Sequence, residues 1–424
     1  MLDRILHALQ KNNIRHYLIN EEITESVELF FIRKKLDIRR EKKVHDYSLT
    51  VYRDFEKDGK KMRGSSAIGI YNGMTAEEIE EAMKEAYYAA SFVSNAYYEL
   101  PGGQKEDFLP SSSNLSAKTL AENAKLMTEA LFAEDTKEEV YLNSAEIFLE
   151  KSLVHILNSE GVDASYSKFT AKGEFVAQCP SPQDVETYQS FYYDEPDTEA
   201  LKAKVKYTLE TTKARAAATT APKSGEYKVI ISGSFVSTIF DYYIDRSSAS
   251  MVYPGYSNYT KGIKVQGDKV AGDLISIDLI AKDPYSSEGI KMIDRALITK
   301  GELNTLHGNS RFSYYLNTEP TGIYSHIKVD KGSKSFEDMK QGKYLHVVNF
   351  SDFQMDSFSG HFGGEIRLAF LCDGDTVTPV TGGSINGSIL DTQGNITLST
   401  ELQKEKGYEG PFAVAFAKVN VAGI

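Results

Sequence analysis

The sequence predicts an α+β protein of two domains. The first is an antiparallel sheet flanked by long helices, and the second is mostly β with at least one helix. Three observations carry this. Period-two apolar alternation recurs from Tyr17 to Ile70 and again from Val140 to Val176. Long helical stripes at Ile79, Met83, Ala86, Ala90, Val93, Tyr97 and at Leu120, Ala124, Met127, Leu131 fall between those runs. The composition breaks over Ala216–Gly225, small residues followed by Pro222 and Gly225. The expected domains are residues 1–222 and 223–424, since 424 residues exceed one ordinary core.

The chain opens with Leu2, Ile5, Leu6 and Leu9 at helical spacing. Strands are expected over 26–32, 36–40, 44–52 and 62–70, the last two joined at Asp58-Gly59, a hairpin turn pair. Seven basic residues lie between Arg33 and Lys43, broken by Asp37 and Glu41. An anionic partner is one reading; the plainer one is a solvated edge strand. Thr75 and Glu78 form a capping box before the first long helix. Further strands are expected over 140–150, 153–157, 163–169 and 185–193, with a turn at Asn158–Gly161. Asp197-Thr198 then starts a helix striped by Leu201, Val205, Leu209 and Thr212.

In the second half a strand over 227–231 leads to a helix over 233–244, carrying Val236, Ile239, Phe240 and Tyr243. An irregular Tyr-, Ser- and Gly-rich loop follows over 248–267. Strands are expected over 274–280, 292–298, 303–307, 311–315, 323–329 and 412–421. The stretch from Leu345 to Asp391 is densest in glycine. It contains an alternating apolar run, the small-residue segment Ser357–Gly364, a strand over 365–371, the turn Asp373–Asp375 and a closing Gly382-Gly383. Glycines so placed signal close backbone approach or positive φ, in a bulged meander or a cavity lining.

The net charge of -12 disfavours a general nucleic-acid partner. Cys179 and Cys372 are the two cysteines and form neither a disulfide framework nor a Cys-x-x-Cys knuckle. The start of the chain lacks a signal-peptide pattern, and no apolar run reaches bilayer length, so no membrane partner and a cytoplasmic location are expected. Asn-x-Ser/Thr triplets at Asn114, Asn258, Asn349, Asn386 and Asn395 then carry no weight. None of the eight histidines is followed by Glu, and no two are three to five residues apart, so a one-helix zinc motif is absent. His361 and Glu365 are the one suggestive pair, but they sit in a strand region where i and i+4 share no helix face. There is no Gly-x-Ser-x-Gly elbow, P-loop or Gly-x-Gly-x-x-Gly. Ser359 lies two residues from His361, which by itself places no catalytic pair. Cys372 reads as a buried structural thiol.

Several segments, in order, resemble the TldD/PmbA family, once described as modulators of DNA gyrase and understood as peptidases. These are Asn158–Tyr166, Asp283-Pro284 through Glu288-Gly289, Thr299–Leu303, Ser359–Arg367, Asp373–Val380 and Ser384–Leu390. The resemblance implies a second residue set. Catalytic members carry His-Glu-x-x-x-His on the first helix of the second domain and a cysteine near the C-terminus. Here the helix segment Ser234–Asp245 has no histidine, and Gly407–Phe412 has no cysteine. The chain therefore resembles the PmbA/TldE type, the non-catalytic subunit of a two-subunit metallopeptidase. That implies no catalytic residue and no metal or cofactor on this chain, with zinc on a TldD-type partner in a heterodimer. It also implies an unfolded peptide substrate that pairs its backbone with strand edges inside a shared chamber. Ser359, Gly360, His361, Gly363 and Gly364 are the expected chamber-shaping residues. Two alternatives stand beside it: an independent metallohydrolase with a dispersed site drawn from His307, His326 and His361, and a homodimer that binds extended peptides without cutting them.

Overall fold

The computed structural model describes residues 1–424. The first half comprises α1 (Leu2–Lys11), β1 (His16–Ile32), β2 (Lys35–Lys57), β3 (Lys60–Tyr71), α2 (Ala76–Ala89), β4 (Asn95–Ala96), α3 (Leu120–Phe132), β5 (Tyr141–Asn158), β6 (Asp163–Cys179), β7 (Val185–Tyr193) and α4 (Thr198–Ala217). Its strands form one antiparallel sheet in the order β4-β3-β2-β1-β5-β6-β7. Alternation gives the sheet two different faces. Ile19, Leu49 and Val51 pack with Ile79 and Met83 of α2, and Ile147, Leu149 and Phe175 pack with Met127 of α3 and Val205 of α4. The opposite face is mixed: Thr24, Ser152, Lys168, Thr170 and Lys172 line a polar depression, while Leu18, Tyr52, Ile156, Ala164 and Tyr166 pack around Tyr285 of the second half.

The expected break between residues 40 and 44 does not occur, because β2 runs unbroken through the basic cluster. The ladder to β1 sets acids opposite or next to the bases: Lys43 lies 2.7 Å from Glu25, and Arg40 and Lys42 both reach the buried Glu28. The cluster is thus a cross-strand charge ladder on an exposed strand. Likewise β5 continues through Lys151-Ser152, where a break was expected. The Asp58-Gly59 turn forms with both residues at positive φ, joining Lys57 to Lys60. The α2 capping box is present, and α3 carries a second one, at Thr119 and Glu122. α2 stops at Ala89, short of Val93 and Tyr97, because the chain turns there and β4 pairs with β3. Tyr97 instead lays its ring against Lys61 Nζ, 3.5 Å from the centroid.

The second half comprises β8 (Gly225–Ser232), α5 (Val236–Arg246), α6 (Ala249–Val252), β9 (Ile277–Ile280), β10 (Arg295–Thr299), β11 (Glu302–Leu303), α7 (Ser310–Tyr315), β12 (His326–Val329) and α8 (Phe336–Met339). It continues with β13 (Tyr344–Met355), β14 (His361–Cys372), β15 (Val377–Val380), β16 (Ser384–Ser388), α9 (Ile389–Thr392), β17 (Thr397–Leu398), β18 (Leu402–Glu405), β19 (Tyr408–Pro411) and β20 (Ala413–Ala422). One sheet runs β11-β10-β9-β12-β19-β18. Another runs β13-β8-β20-β16-β14, and β14 pairs back onto β13, so this ladder closes on itself. Residues 311–315, expected in β, form helix α7, because the Asn309 side chain accepts from the Phe312 amide at 3.1 Å and opens a helical turn.

Closing so small a ring bends its strands. β13 does this with register shifts between Val347 and Phe353, whose partners on β14 run from Ala369 to Gly364. A Cβ on Gly364 would run into the Asp352 carbonyl and the Phe350 ring, and one on Gly363 would lie 2.7 Å from the Ile385 carbonyl.

His346 of β13 is buried in this closed ladder, its Nε2 2.7 Å from Ser232 Oγ on β8. Burial, followed by the charge of Lys340, pushes its pKa down to about 3. The unfolded chain takes up this proton as pH falls through about 6.5, whereas the folded chain resists down to about 3, so acidification removes stability across that window. Denaturant titrations are expected to lose about 2 kcal/mol between pH 6.5 and 5 from this group. His346→Gln is expected to show a correspondingly smaller loss over the same range.

Candidate functional site: the cleft beside helix α5

The β8 strand ends at Ser232, and Gly233 turns the chain at φ +74, a conformation that favours glycine. One 3-10 turn, Gly233–Phe235, then leads into α5. The Gly233 amide donates to the Phe412 carbonyl at 3.0 Å, and the Gly233 carbonyl accepts from Gln403 Nε2 at 2.8 Å. One turn further on, Phe240 stacks on Tyr408 with ring centroids 5.9 Å apart. The helix segment 234–245 and the segment 407–412, nearly 170 residues apart in sequence, are therefore brought together in space. Ser234 and Ser237 lie at this junction, Ser237 Oγ donating to the Ser234 carbonyl at 3.0 Å.

The imidazoles lie elsewhere. His307 sits at the far end of α5, where its Nε2 donates to the Ile244 carbonyl at 2.9 Å and its Nδ1 has no partner. Burial lowers its pKa, so the ring is neutral. His326 on β12 is also lowered, by burial and then by Lys282. His361 is exposed. Cys179 and Cys372 are both buried free thiols. No three His, Cys, Asp or Glu side chains converge as metal ligands, so His307, His326 and His361 do not assemble a dispersed site.

Beside the N-terminal end of α5 lies a cleft of about 420 Å³. Residues 186–190 of β7 form one wall and Asn349–Ser351 of β13 the other, with Phe235 and Phe350 between them, their rings 5.1 Å apart. A second cavity of about 610 Å³ continues along α4 to β18 and shares Gln189, Ser234 and Glu405 with the first. β7 and β18 are each the outermost strand of their sheet, so the joined cleft is flanked by unpaired main-chain edges. Lys204 of α4 and Glu405 of β18 span it 2.6 Å apart, with side chains only 10% and 15% exposed. Two arginines also enter the cleft. Arg215, at the end of α4, donates to the Glu186 carbonyl at 2.5 Å, and Arg367 of β14 donates to Ser351 Oγ at 2.8 Å. Burial, then the neighbouring charge of Arg367, pulls the Arg215 pKa down.

Ser359, Gly360, His361, Gly363 and Gly364 line neither cavity. Ser359 and Gly360 belong to a tight turn held by Asp356, which receives the Gly360 amide at 2.7 Å and the Phe358 amide at 2.9 Å. Gly360, at φ +76, packs against Ile389 and Leu390. Ser359 and His361 face solvent. The cleft residues Lys204, Arg215, Arg367 and Glu405 were not identifiable in advance, since no local spacing links positions on α4, β14 and β18.

Residues 224–423 match the family model described as the PmbA/TldA metallopeptidase C-terminal domain. The second half of the chain is a PmbA/TldD-family domain. Three solved structures share the fold of this chain along its whole length. One, from Thermotoga maritima and titled as a candidate modulator of DNA gyrase, is 17% identical with a TM-score of 0.76, covering 99% of each chain. TldE from Thermococcus kodakarensis is 15% identical with a TM-score of 0.77, covering 100% of each. A further candidate gyrase modulator, from Bacteroides thetaiotaomicron, is 14% identical with a TM-score of 0.78, covering 100% of this chain and 98% of that one. No curated protein sequence matches the chain. No helix in it is long and apolar enough to cross a membrane.

Lys204→Met leaves Glu405 buried without its cation and is expected to cost about 3 kcal/mol in denaturant unfolding, most of it recovered when Glu405→Met is added. Gly364→Val is expected to destabilise by about 3 kcal/mol or more in the same assay, because the added side chain meets backbone that cannot withdraw.

Proposed function

We propose that this chain is the metal-free subunit of a two-subunit PmbA/TldD metallopeptidase acting on unfolded peptides in the cytoplasm. The observation that carries the proposal is the junction of α5 with the β18–β19 hairpin. Zinc is held by imidazole, thiolate or carboxylate groups at about 2 Å in a closed set of three or four. At this junction Ser234, Ser237, Gln403 and Tyr408 offer only hydroxyl and amide groups, and the neighbouring carboxylates Glu405 and Glu409 do not gather with others into such a set. A TldD-type partner with His-Glu-x-x-x-His on the corresponding helix supplies the zinc and the hydrolytic step. This chain contributes walls and unpaired strand edges. Extended peptide pairs with such edges through main-chain hydrogen bonds, which tolerate any side-chain sequence. The chain's acidic balance argues against a direct nucleic-acid role.

Reconstitution tests this directly. The purified chain, a TldD-type partner from the same cell, and their mixture are incubated with a denatured, fluorophore-quenched polypeptide. Cleavage by the mixture that exceeds the partner alone by at least about ten-fold, together with a one-to-one complex on gel filtration, is the expected result. Cleavage by this chain alone overturns the proposal, as does a partner that is fully active and stays separate. A homodimer that binds the polypeptide and leaves cleavage unchanged would identify a peptide-binding protein instead.

A further inference from the structure

The edge of β7 in the cleft has a defined polarity. Along an antiparallel strand, residues alternate between facing the paired neighbour and facing outward. The Glu186 carbonyl faces outward, because it receives Arg215. Tyr188 and Ser190, two and four residues on, therefore turn their own N–H and C=O groups to the same free side, into the cleft. The cationic groups lie at the Glu186 end of this edge. Arg215 bonds a neutral carbonyl and forms no ion pair. Arg367 bonds Ser351 and has only the exposed Glu365 of its own strand, 3.5 Å away, as a counter-charge. The cleft's two carboxylates are already engaged: Glu405 by Lys204, and Glu186 by Asn143 Nδ2 at 3.0 Å. Two guanidinium groups thus share one cleft with spare donors and no acid between them.

We propose that this cleft binds the free C-terminal carboxylate of an extended peptide between Arg215 and Arg367, with the peptide's last residues added antiparallel to β7. The inference rests on the reading of this chain as a peptide-handling subunit and specifies what part of the peptide it holds. The orientation follows from the geometry. β7 runs from Glu186 toward Ser190, so an antiparallel peptide runs the other way and brings its C-terminal end to the arginines. The outward groups of Tyr188 and Ser190 supply the main-chain bonds, and the forked guanidinium donors match a planar carboxylate. An internal segment of a longer polypeptide has no main-chain carboxylate to place in line with the paired strand, so chain ends are preferred over loops.

Fluorescence anisotropy tests this with the full chain alone and a labelled, unstructured hexapeptide prepared as the free acid and as the C-terminal amide. The acid is expected to bind at least about ten-fold more tightly than the amide at low salt, with the advantage shrinking as salt rises. Arg215→Gln and Arg367→Gln, each checked for an unchanged thermal melt, are expected to bring the acid down to the amide's affinity and leave the amide unmoved. Tyr188→Pro removes an outward N–H without touching the ladder to β6, and is expected to weaken both peptides. Equal affinity for acid and amide, absence of binding by either, or arginine variants that weaken both forms alike would overturn the proposal. Because no partner is present, such a failure leaves the reconstitution result standing. Acid-selective binding combined with failed reconstitution would instead remove the subunit assignment alone.

Discussion

The seating of helix α5 against the β18–β19 hairpin is the contact on which the second half depends. Gly233 turns the chain out of β8 at positive φ, and its amide and carbonyl are both taken by the hairpin region, at Phe412 and Gln403. Phe240 on Tyr408 then fixes the helix along its length. Val236, Ile239, Phe240 and Tyr243 enter the same apolar core as Val229, Ile231, Phe362 and Phe416 of the closed ladder. Moving the helix would open that core and unseat the strand that carries Glu405. The candidate cleft is thus a by-product of packing, lined where α5 begins and bordered by the Lys204–Glu405 pair.

The two halves use their sheets differently. The first spends one face on helices and packs part of the other around Tyr285 of the second half, with its outer strand β7 unpaired at the cleft. The second closes one ladder on itself, which removes edges, and leaves β18 as the free end of the other. Exposed edges invite unwanted pairing. Here both edges border the joined cleft, β7 through Gln189 and β18 through Glu405, which pairs with Lys204 of α4. That arrangement shields them from like sheets while leaving room for a single extended chain.

Much of the architecture was legible in the residues. Capping boxes, helical stripes and the Asp58-Gly59 turn are local chemistry, and they placed α2, α3, α4 and the β2–β3 hairpin. Strand lengths were less legible. Charged residues at 39–43 and 150–151 interrupt hydrophobic alternation, yet the ladders continue because Lys43 pairs with Glu25 and Glu150 with Lys172 across strands. The short helix at 310–315 was hidden by β-prone Phe and Tyr, with tertiary context and the Asn309 cap deciding the outcome. Of the glycines at 360–364, Gly360 takes positive φ, Gly363 lies close to the β16 backbone, and Gly364 lets β14 lie against the bulged β13. The cleft itself was not readable: Arg215, Arg367 and Lys204 look like ordinary surface charges until the fold sets α4, β7 and β14 side by side.

The proposed role as a metal-free subunit requires that the α5 junction around Ser234, Ser237, Gln403 and Tyr408 holds no zinc. Elemental analysis of the chain expressed alone in zinc-supplemented medium, purified without chelators and dialysed against metal-free buffer, tests it most directly. The account predicts far less than one transition-metal ion per chain. Retention of one zinc per chain through that dialysis would contradict it.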